Sequence, residues 1–358
     1  MYIVLMAGGV GTRFWPLSRR SRPKQLLSIV GSKSMLRLTF ERIRPLTDPE
    51  KILVITNIEL KKAIEEELPE IPPDNIIGEP QGRNTAPCIG LSAAVVKTRA
   101  GEDEVMVVLP ADHLISDSGN FRATIKVGAD FASKNDTLIT IGIKPSYPET
   151  GYGYIQISDL RHKQNKKSIY KVRAFAEKPN TETAERFLKS GDFFWNSGIF
   201  IWRTGKILEE MDEHLPELSS DLEKIAKAIG KKSFKKVVEE VYSHTRSISI
   251  DYGVMEAAND VSVIAADFNW NDLGSWEAVY NISPKDNRGN VIHSSKNILI
   301  NAQNNYFYAK NKMIAAVDVE DLVVVEMDDA ILICRKEKSQ NVKSVVDYLV
   351  RKGMEKYL

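Results

Sequence analysis

Glycines and cations near the start of the chain have the types and spacing of a phosphate-binding loop. Gly8, Gly9 and Gly11 follow a short apolar run, and glycines allow the backbone to turn sharply with its N–H groups directed at an anion. Arg13 and Lys24 add fixed positive charge suited to a polyphosphate. The segment therefore predicts a nucleoside triphosphate site, with a glycine-rich turn that binds nothing as the alternative.

Two better-known glycine loops do not fit this segment. A dinucleotide fingerprint begun at Gly9 would need glycine at Phe14, and a P-loop begun at Gly8 would need glycine, lysine and a hydroxyl residue at positions 13–15. Neither requirement is met, so the loop belongs to another class of nucleotide site.

A carboxylate follows a buried strand predicted at residues 104–109. Ligands gather at the carboxyl ends of strands in open α/β sheets, so Asp112 is expected at the same site as the glycine loop. Mg²⁺ prefers carboxylate oxygen to imidazole, so Asp112 is the better ligand and His113 is expected to pack or hydrogen-bond.

Residues 79–87 place a glycine and amide side chains before a helix predicted at residues 88–98. Such a helix start offers backbone and side-chain groups to the edge of a base, although Asn84 or Thr85 could instead serve only as its N-cap.

Glycines alternate with tyrosines at residues 151–154, which indicates a close backbone approach to a ligand and an aromatic face for a sugar. The alternative is a tight hairpin with core tyrosines. Further on, Glu177 and Lys178 would point to opposite faces of a strand unless the following Pro179 bends it towards a cleft. A solvated surface ion pair is the other interpretation of these two residues.

The elements that must position these residues alternate between strands and helices. Apolar runs predict strands at residues 2–6, 51–56, 75–79, 138–143 and 168–174, and periodicity predicts helices at 34–46, 59–68 and within 204–243, with a loop at 159–167. After a linker at 283–290, short β-rich runs indicate a β-helix or small β-sandwich, followed by a helix over 340–357.

Composition excludes several classes of protein. The 358 residues are 43% hydrophobic and 27% charged with a net charge of +1, which argues against disorder and against a broad basic face for nucleic acid. Only two cysteines occur, and no 18-residue apolar run or signal peptide is present. We expect a cytoplasmic protein without a membrane partner.

Six ordered motifs resemble those of nucleotidyltransferases that make nucleotide sugars, in the mannose-1-phosphate guanylyltransferase branch. They are GGVGTRFWPLS with PKQ, EPQGRNTAP, PADH, AEKP, NSGIF with IDYGVMEA, and WNDLG, and the resemblance covers about residues 1–335. The family has valine where this chain has Ala176, and Gly253 and Ala257 also depart from its pattern.

The resemblance implies an α/β fold with a Rossmann-like mixed sheet flanked by helices, similar to GT-A enzymes, over residues 1–283. From its own strand pattern, a small C-terminal β-helix-like domain is expected over residues 284–358. Because this domain lies beyond every catalytic motif, we expect it to mediate a homodimer. The implied reaction converts GTP and α-D-mannose 1-phosphate into GDP-mannose and pyrophosphate. It would proceed by in-line attack on the α-phosphorus with Mg²⁺, or another divalent cation such as Mn²⁺, as cofactor.

The resemblance also implies roles for individual residues. Those assigned to the nucleotide are Ala7, Gly8, Gly9, Gly11, Thr12, Arg13, Lys24, Gln81, Gly82, Arg83 and Asn84. Those assigned to the sugar phosphate are Tyr152, Gly153, Glu177, Lys178, Asn196 and Asp251. The metal ligands would be Asp112 and Asp272, and the catalytic residues Arg13, Lys24, Asp112 and Lys178.

Other functions remain open on the sequence. Two carboxylates could serve a glycosidase, but that leaves the glycine loop and its cations without a role. Another hexose-1-phosphate nucleotidyltransferase is the nearest enzymatic alternative. A catalytically silent sugar-nucleotide sensor would be expected to lose Arg13, Lys24 or a metal carboxylate, and none is missing.

Overall fold

The computed structural model describes all of residues 1–358, and the chain divides into two compact units. Unit 1 comprises Met1–Gly8, Phe40–Ala111 and Ile115–Trp270. Unit 2 comprises Gly9–Thr39, Asp112–Leu114 and Asn271–Leu358. The boundary between residues 283 and 284, which the sequence predicts, stays a prediction.

Seventeen strands occur along the chain. In order they are β1 Tyr2–Ala7, β2 Ile52–Asn57, β3 Ile76–Glu79, β4 Val105–Pro110, β5 Leu114–Ile115, β6 Leu138–Ile143, β7 Tyr154–Gln164, β8 Lys167–Ala176, β9 Phe193–Arg203, β10 Val261–Ala266, β11 Trp270–Asn271, β12 Val291–His293, β13 Asn297–Ile300, β14 Tyr306–Ala309, β15 Ile314–Val317, β16 Leu322–Glu326 and β17 Ile331–Arg335.

Ten α-helices accompany them, and a π-helical turn spans Asp251–Met255. The helices are α1 Met35–Ile43, α2 Lys61–Glu67, α3 Thr85–Ala100, α4 Ser118–Lys134, α5 Thr181–Ser190, α6 Thr204–His214, α7 Pro216–Ala228, α8 Phe234–His244, α9 Trp276–Ile282 and α10 Lys343–Arg351. Side-chain N-caps begin several of them: Asn84 for α3, Asp117 for α4, Asn180 for α5 and Ser275 for α9.

Unit 1 contains a nine-stranded mixed sheet in the order β3-β2-β1-β4-β9-β6-β10-β8-β7. Strands β1 to β4 are mutually parallel, and β9 runs antiparallel to both β4 and β6. The parallel strands are almost continuously apolar and buried, as expected where helices cover both faces of a sheet. Their carboxyl ends therefore lie along one edge, and Gly8 and Glu79 follow or end two of them.

The prediction of a loop at residues 159–167 is wrong. Strands β7 and β8 form a long antiparallel hairpin whose turn residues Asn165 and Lys166 both have positive φ angles, 49° and 63°. Such a pair of positive φ values suits a two-residue hairpin turn. The segment is largely exposed, so its strands are defined by backbone pairing and carry little apolar patterning for the sequence to reveal.

Unit 2 is built around stacked parallel strands. Strand β14 lies between β12 and β16, and β13 pairs with β15, while β17 closes the larger sheet in antiparallel orientation. Asn290 and Asn305 are both buried inside the stack. Asn305 Nδ2 donates to Asn290 Oδ1 at 3.1 Å, so these buried amide groups have a hydrogen-bond partner. This architecture agrees with the predicted β-helix-like domain.

The final helix is shorter than predicted. Helix α10 spans only Lys343–Arg351, because Gly353 adopts a positive φ of 65° and ends the helical path. A short 3₁₀ turn follows at Glu355–Tyr357. Across the whole chain, no helix combines the length and apolar character needed to cross a bilayer.

Candidate functional site

The glycine loop is shaped by a close approach between Gly11 and Lys24. Gly11 has a φ of +62°, and a Cβ placed on it would lie 2.6 Å from Cβ and 2.9 Å from the backbone N of Lys24. The Ser18 hydroxyl donates to the Gly11 carbonyl at 2.7 Å, which fixes this turn. Glycine at position 11 is therefore required by the fold, whereas Gly9 has open space around it.

Lys24 is a buried cation held by neighbours in unit 2. It is only 6% exposed, and its Nζ donates to Asp112 Oδ2 at 2.8 Å and to the main-chain carbonyl of Asp272. The Phe14 ring lies 5.8 Å from the same ammonium. Two acceptors and an aromatic face hold this lysine in one position.

The two predicted metal ligands line one cavity in unit 2. Its volume is about 240 Å³, and its walls are Gly11, Thr12, Arg13, Phe14, Lys24, Asp112, His113, Asp272, Leu273 and Gly274. The Asp272 carboxylate accepts a hydrogen bond from Gly274 N at 3.0 Å, which fixes one of its oxygens.

Asp112 is held in its ionised form. Burial by itself would raise the pKa of this carboxyl, but the adjacent Lys24 ammonium, helped by His113, keeps the pKa below its usual value. The ionised Asp112 carboxylate lines the same cavity as the Asp272 carboxylate, and carboxylate oxygens are ligands that suit a hard divalent cation. Asp112 and Asp272 therefore fit Mg²⁺ or Mn²⁺ by the chemistry of their donor atoms.

Arg13, unlike Lys24, is exposed to solvent and has no partner within the chain. Its side chain is exposed and forms no ion pair or hydrogen bond within the chain. A guanidinium without a partner at the mouth of a glycine loop is available to an incoming phosphate.

The loop is anchored to the rest of unit 2 by aromatic residues. Trp15 donates through Nε1 to the Tyr357 carbonyl at 2.9 Å, and the Phe14 ring packs edge-on against Trp276 with centroids 5.1 Å apart. Arg19 and Asp329 form an ion pair at 2.7 Å. No pattern in the sequence indicates that the C-terminal elements hold this loop, because each contact joins residues hundreds of positions apart.

The predicted base-binding segment lies in unit 1 and is tied to the end of α8. Gln81 Nε2 and Arg83 Nε donate to the Tyr242 carbonyl at 2.6 and 3.1 Å. Asn84 has a φ of 69° and caps α3 through its side chain, so the helix-cap interpretation is confirmed for this residue. Gly82 is exposed, with no atom within 4 Å of the position a Cβ would take.

Glu177 and Lys178 follow β8 and lie on the same side of the chain. Lys178 has a φ of 42°, so the backbone bends there, and its Nζ lies 2.6 Å from Glu177 Oε1. A Cβ on Gly153 would lie 2.7 Å from Glu177 Oε2, so glycine makes room for this carboxylate. The backbone therefore turns at Lys178, the residue before Pro179, and the two side chains form an ion pair, while their binding role stays a prediction.

Asn196 and Asp251 form a second polar pair in unit 1. Asn196 Nδ2 donates to Asp251 Oδ1 at 2.7 Å, while its carbonyl oxygen accepts from Gly198 N at 3.1 Å. Burial raises the pKa of Asp251, the Asn196 bond opposes that shift, and Glu177 raises the pKa further. These residues and Glu177 thus form one polar cluster.

Tyr152 packs within a group of aromatic rings that includes Trp195, the neighbour of Asn196 in the chain. Its ring meets Trp195 and Trp270 edge-on, with centroids 5.3 and 5.2 Å apart. Tyr147 also packs on Trp195, at 4.9 Å.

The predicted site residues fall into two sets. Unit 1 holds Ala7, Gly8, Gln81, Gly82, Arg83, Asn84, Tyr152, Gly153, Glu177, Lys178, Asn196 and Asp251. Unit 2 holds Gly9, Gly11, Thr12, Arg13, Lys24, Asp112 and Asp272. Their roles in binding substrates and metal stay predictions.

Sequence reasoning missed Glu79 as a functional candidate. This buried carboxylate ends β3, and Tyr242 donates to it through its hydroxyl at 2.9 Å. Burial raises the pKa of Glu79 to about 7, against the effect of the Tyr242 bond. The rule that found Asp112, a carboxylate at the carboxyl end of a parallel strand, would also have found Glu79.

Comparison with known proteins agrees with this arrangement. The family model described as nucleotidyl transferase matches residues 2–289, and a model described as MannoseP isomerase/GMP-like beta-helix domain matches residues 295–349. The second match supports a β-helix for the C-terminal strands over the alternative of a β-sandwich.

Named relatives extend over nearly the whole chain. A mannose-1-phosphate guanylyltransferase of Klebsiella pneumoniae is 40% identical over 361 residues, which cover 99% of this chain and 75% of the relative. One from Escherichia coli (strain K12) is 39% identical over 363 residues, covering 100% of this chain and 75% of that protein.

A solved structure shares the fold throughout. A crystal structure from Thermus thermophilus, described as a mannose-1-phosphate geranyltransferase, is 32% identical with a TM-score of 0.87 and covers 97% of this chain and 98% of that one. The chain belongs to the nucleotidyl transferase family, and within it to the mannose-1-phosphate guanylyltransferases.

Proposed function

We propose that this chain transfers a guanylyl group from GTP to α-D-mannose 1-phosphate, giving GDP-mannose and pyrophosphate. The observation that carries the proposal is the cavity in unit 2, where a glycine loop, a fixed lysine and two carboxylates come together. A nucleoside triphosphate with its divalent cation matches those three features at once.

The sugar phosphate acts as the nucleophile on the α-phosphorus of GTP. The second pKa of a phosphate monoester is about 6, so this group is largely ionised near neutrality and no general base is needed. Catalysis then rests on alignment of the two phosphates and on neutralisation of charge.

Charge on the departing pyrophosphate is balanced by residues of unit 2. Lys24 is already fixed in place, and Arg13 is exposed and unpaired. Both can therefore contact phosphate oxygens without a rearrangement of the packed interior. Backbone N–H groups near Gly9 and Gly11 add further donors.

Asp112 and Asp272 would hold Mg²⁺ or Mn²⁺. When bound, such a cation would neutralise negative charge on the phosphates. The ionised state of Asp112, which Lys24 maintains, is the form that such a cation requires.

The sugar phosphate is assigned to residues of unit 1. Glu177 and Asp251 offer carboxylate oxygens to sugar hydroxyls, and the exposed Lys178 offers its ammonium to the phosphate. Asn196 donates to Asp251 and holds it in place, and the Tyr152 ring packs edge-on against Trp195.

A pyrophosphate-release assay that crosses four nucleoside triphosphates with several hexose 1-phosphates tests the proposal. We expect the highest kcat/KM for GTP with mannose 1-phosphate. Equal turnover with UTP or dTTP, or with glucose 1-phosphate, would favour another hexose-1-phosphate nucleotidyltransferase. No turnover with any pair would favour the silent sensor.

We further propose that the chain forms a homodimer through its C-terminal strands and functions in the cytoplasm. Ile298, Ile300 and Val317, on β13 and β15, are each about half exposed, as 51%, 51% and 52%. Light scattering should give the mass of two chains for the native protein and of one chain for Ile300→Glu. A native protein with the mass of one chain would refute the dimer.

A further inference from the structure

Glu79 is a buried carboxylate with one oxygen unused. It is 5% exposed, and its Oε1 accepts the Tyr242 hydroxyl at 2.9 Å. Its Oε2 accepts no hydrogen bond within the chain and lies 3.4 Å from the position a Cβ would take on Gly8. This oxygen therefore faces the start of the glycine loop without a partner.

A purely structural role does not account for a charged side chain here. No lysine or arginine pairs with Glu79, and burial raises its pKa to about 7. A neutral glutamine could accept the same hydroxyl bond from Tyr242 without the cost of burying charge. A carboxylate in this position indicates a missing partner that donates hydrogen bonds.

The surrounding segment is already anchored, and Glu79 Oε2 and the Gly82 N–H are among its polar groups that stay available. Gln81 Nε2 and Arg83 Nε donate to the Tyr242 carbonyl, and Arg83 Nη2 donates to the Ser243 carbonyl. Gly82 has open space above its Cα and no hydrogen bond within the chain. The segment thus offers an anionic acceptor and a backbone donor on a fixed frame.

Guanine is the base whose edge matches such a frame. Its N1–H and 2-amino group are adjacent donors that a single carboxylate accepts together, and its O6 is an acceptor for an N–H group. Adenine and cytosine offer an amino donor beside a ring acceptor, and uracil and thymine offer one N–H between two carbonyls. None of these four places two donors side by side.

We propose that Glu79 selects guanine by accepting hydrogen bonds from N1–H and the 2-amino group, with the Gly82 N–H donating to O6. This inference rests on the proposed use of GTP and identifies the residue that determines it. Loss of one charge-assisted hydrogen bond is worth about 1.5 to 3 kcal/mol, or roughly 10- to 100-fold in affinity.

The test compares GTP with ITP, which lacks only the 2-amino group, in the full chain. We expect the native protein to prefer GTP by roughly 10- to 100-fold in kcat/KM, mostly through KM. Glu79→Gln should raise KM for GTP and bring the GTP/ITP ratio towards one. Glu66→Gln, which neutralises an exposed glutamate on α2, is the matched control and should retain the native ratio. Tyr242→Phe removes the hydrogen bond that lowers the pKa of Glu79, so in this variant the pH dependence of the ratio should move to higher pH.

A pH profile of the native protein gives a second readout that needs no variant. Because the pKa of Glu79 is about 7, the GTP/ITP ratio should rise as pH increases through that value. The other titratable groups facing Glu79 are the Tyr242 hydroxyl and the Cys88 thiol, and burial raises the pKa of both well above their usual values. Neither group therefore titrates near pH 7.

The possible outcomes separate this inference from the proposed function. An unchanged GTP/ITP ratio in Glu79→Gln, or a ratio independent of pH in the native protein, would overturn the role of Glu79 while GTP remained the substrate. A native protein that turns over UTP in preference to GTP would instead refute the proposed function. If Glu79→Gln fails to fold, the native pH profile alone decides.

Discussion

The two units of the chain hold a lysine and its carboxylate in different ways. In unit 2, Lys24 is 6% exposed and donates to both Asp112 and the main chain of Asp272. In unit 1, Lys178 has 60% of its side chain exposed and contacts the neighbouring Glu177. A lysine fixed by two acceptors is in place before a ligand arrives, whereas an exposed lysine loses more side-chain entropy when a ligand binds.

The carboxylates of the two units differ in the direction of their pKa shifts. Burial tends to raise the pKa of both Asp112 and Asp251, but only Asp112 has an ammonium in direct contact, so its pKa falls and that of Asp251 rises. Unit 2 is therefore prepared for a cation and for phosphate charge. Unit 1 is prepared for hydrogen bonds to a neutral sugar.

The largest expected effect comes from removing the ionised carboxylate of unit 2. Asp112→Asn should lower kcat by roughly a thousandfold or more at saturating Mg²⁺, because a cation ligand and several kcal/mol of charge stabilisation are lost. Initial rates over a Mg²⁺ titration measure this effect.

Asp347→Asn is the matched control, since this aspartate lies exposed on α10 in the same unit. It should keep native rates and native Mg²⁺ dependence. Near-native turnover by Asp112→Asn, with an unchanged circular dichroism spectrum, would mean that Asp112 is not a metal ligand and that the two units do not differ as described.

The lysine of unit 2 should act in the transition state. Lys24→Ala is expected to lower kcat and kcat/KM together by about 100-fold, because a fixed cation meets charge that develops as pyrophosphate leaves. Steady-state kinetics with GTP and mannose 1-phosphate varied separately measure it. A rise in KM for GTP at constant kcat would show that Lys24 contributes equally to ground-state binding.

The lysine of unit 1 should act on binding. Lys178→Ala is expected to raise KM for mannose 1-phosphate by roughly 10- to 100-fold with little change in KM for GTP, as for loss of one charge-assisted bond. Lys171→Ala, an exposed lysine on β8, is the control and should change neither constant. A raised KM for GTP with an unchanged KM for mannose 1-phosphate would show that Lys178 binds GTP and not the sugar phosphate.

These contrasts also mark what the sequence could and could not predict. Asp112 and the glycine loop were found because strand ends and clustered glycines are local patterns. The pairing of Lys24 with Asp112 was not, because it joins residues 88 positions apart. The β7–β8 hairpin was missed because its exposed strands pair through their backbones. Glu79 could have been found by the strand-end rule, but its unpaired oxygen is visible only once Tyr242 and Gly8 are in place.

The last and smallest effect concerns Asp251 and the pH dependence of stability. Its pKa is raised in the folded chain, so the folded state binds the proton more tightly than the unfolded state does. Stability contributed by the protonated form is complete below the ordinary pKa, near 4, and is lost as pH rises towards the raised value. Asp112, with its lowered pKa, has the opposite sign and loses stability as pH falls.

Asp251→Asn should therefore gain stability relative to the native chain as pH rises through that window. Asparagine keeps an oxygen that can accept the Asn196 bond, so the packing is preserved while the charge is removed. Urea unfolding in EDTA across the window measures the difference. A native-minus-variant difference that is independent of pH would show that Asp251 is ionised equally in both states, and the electrostatic contrast between the two units would then rest on Asp112 alone.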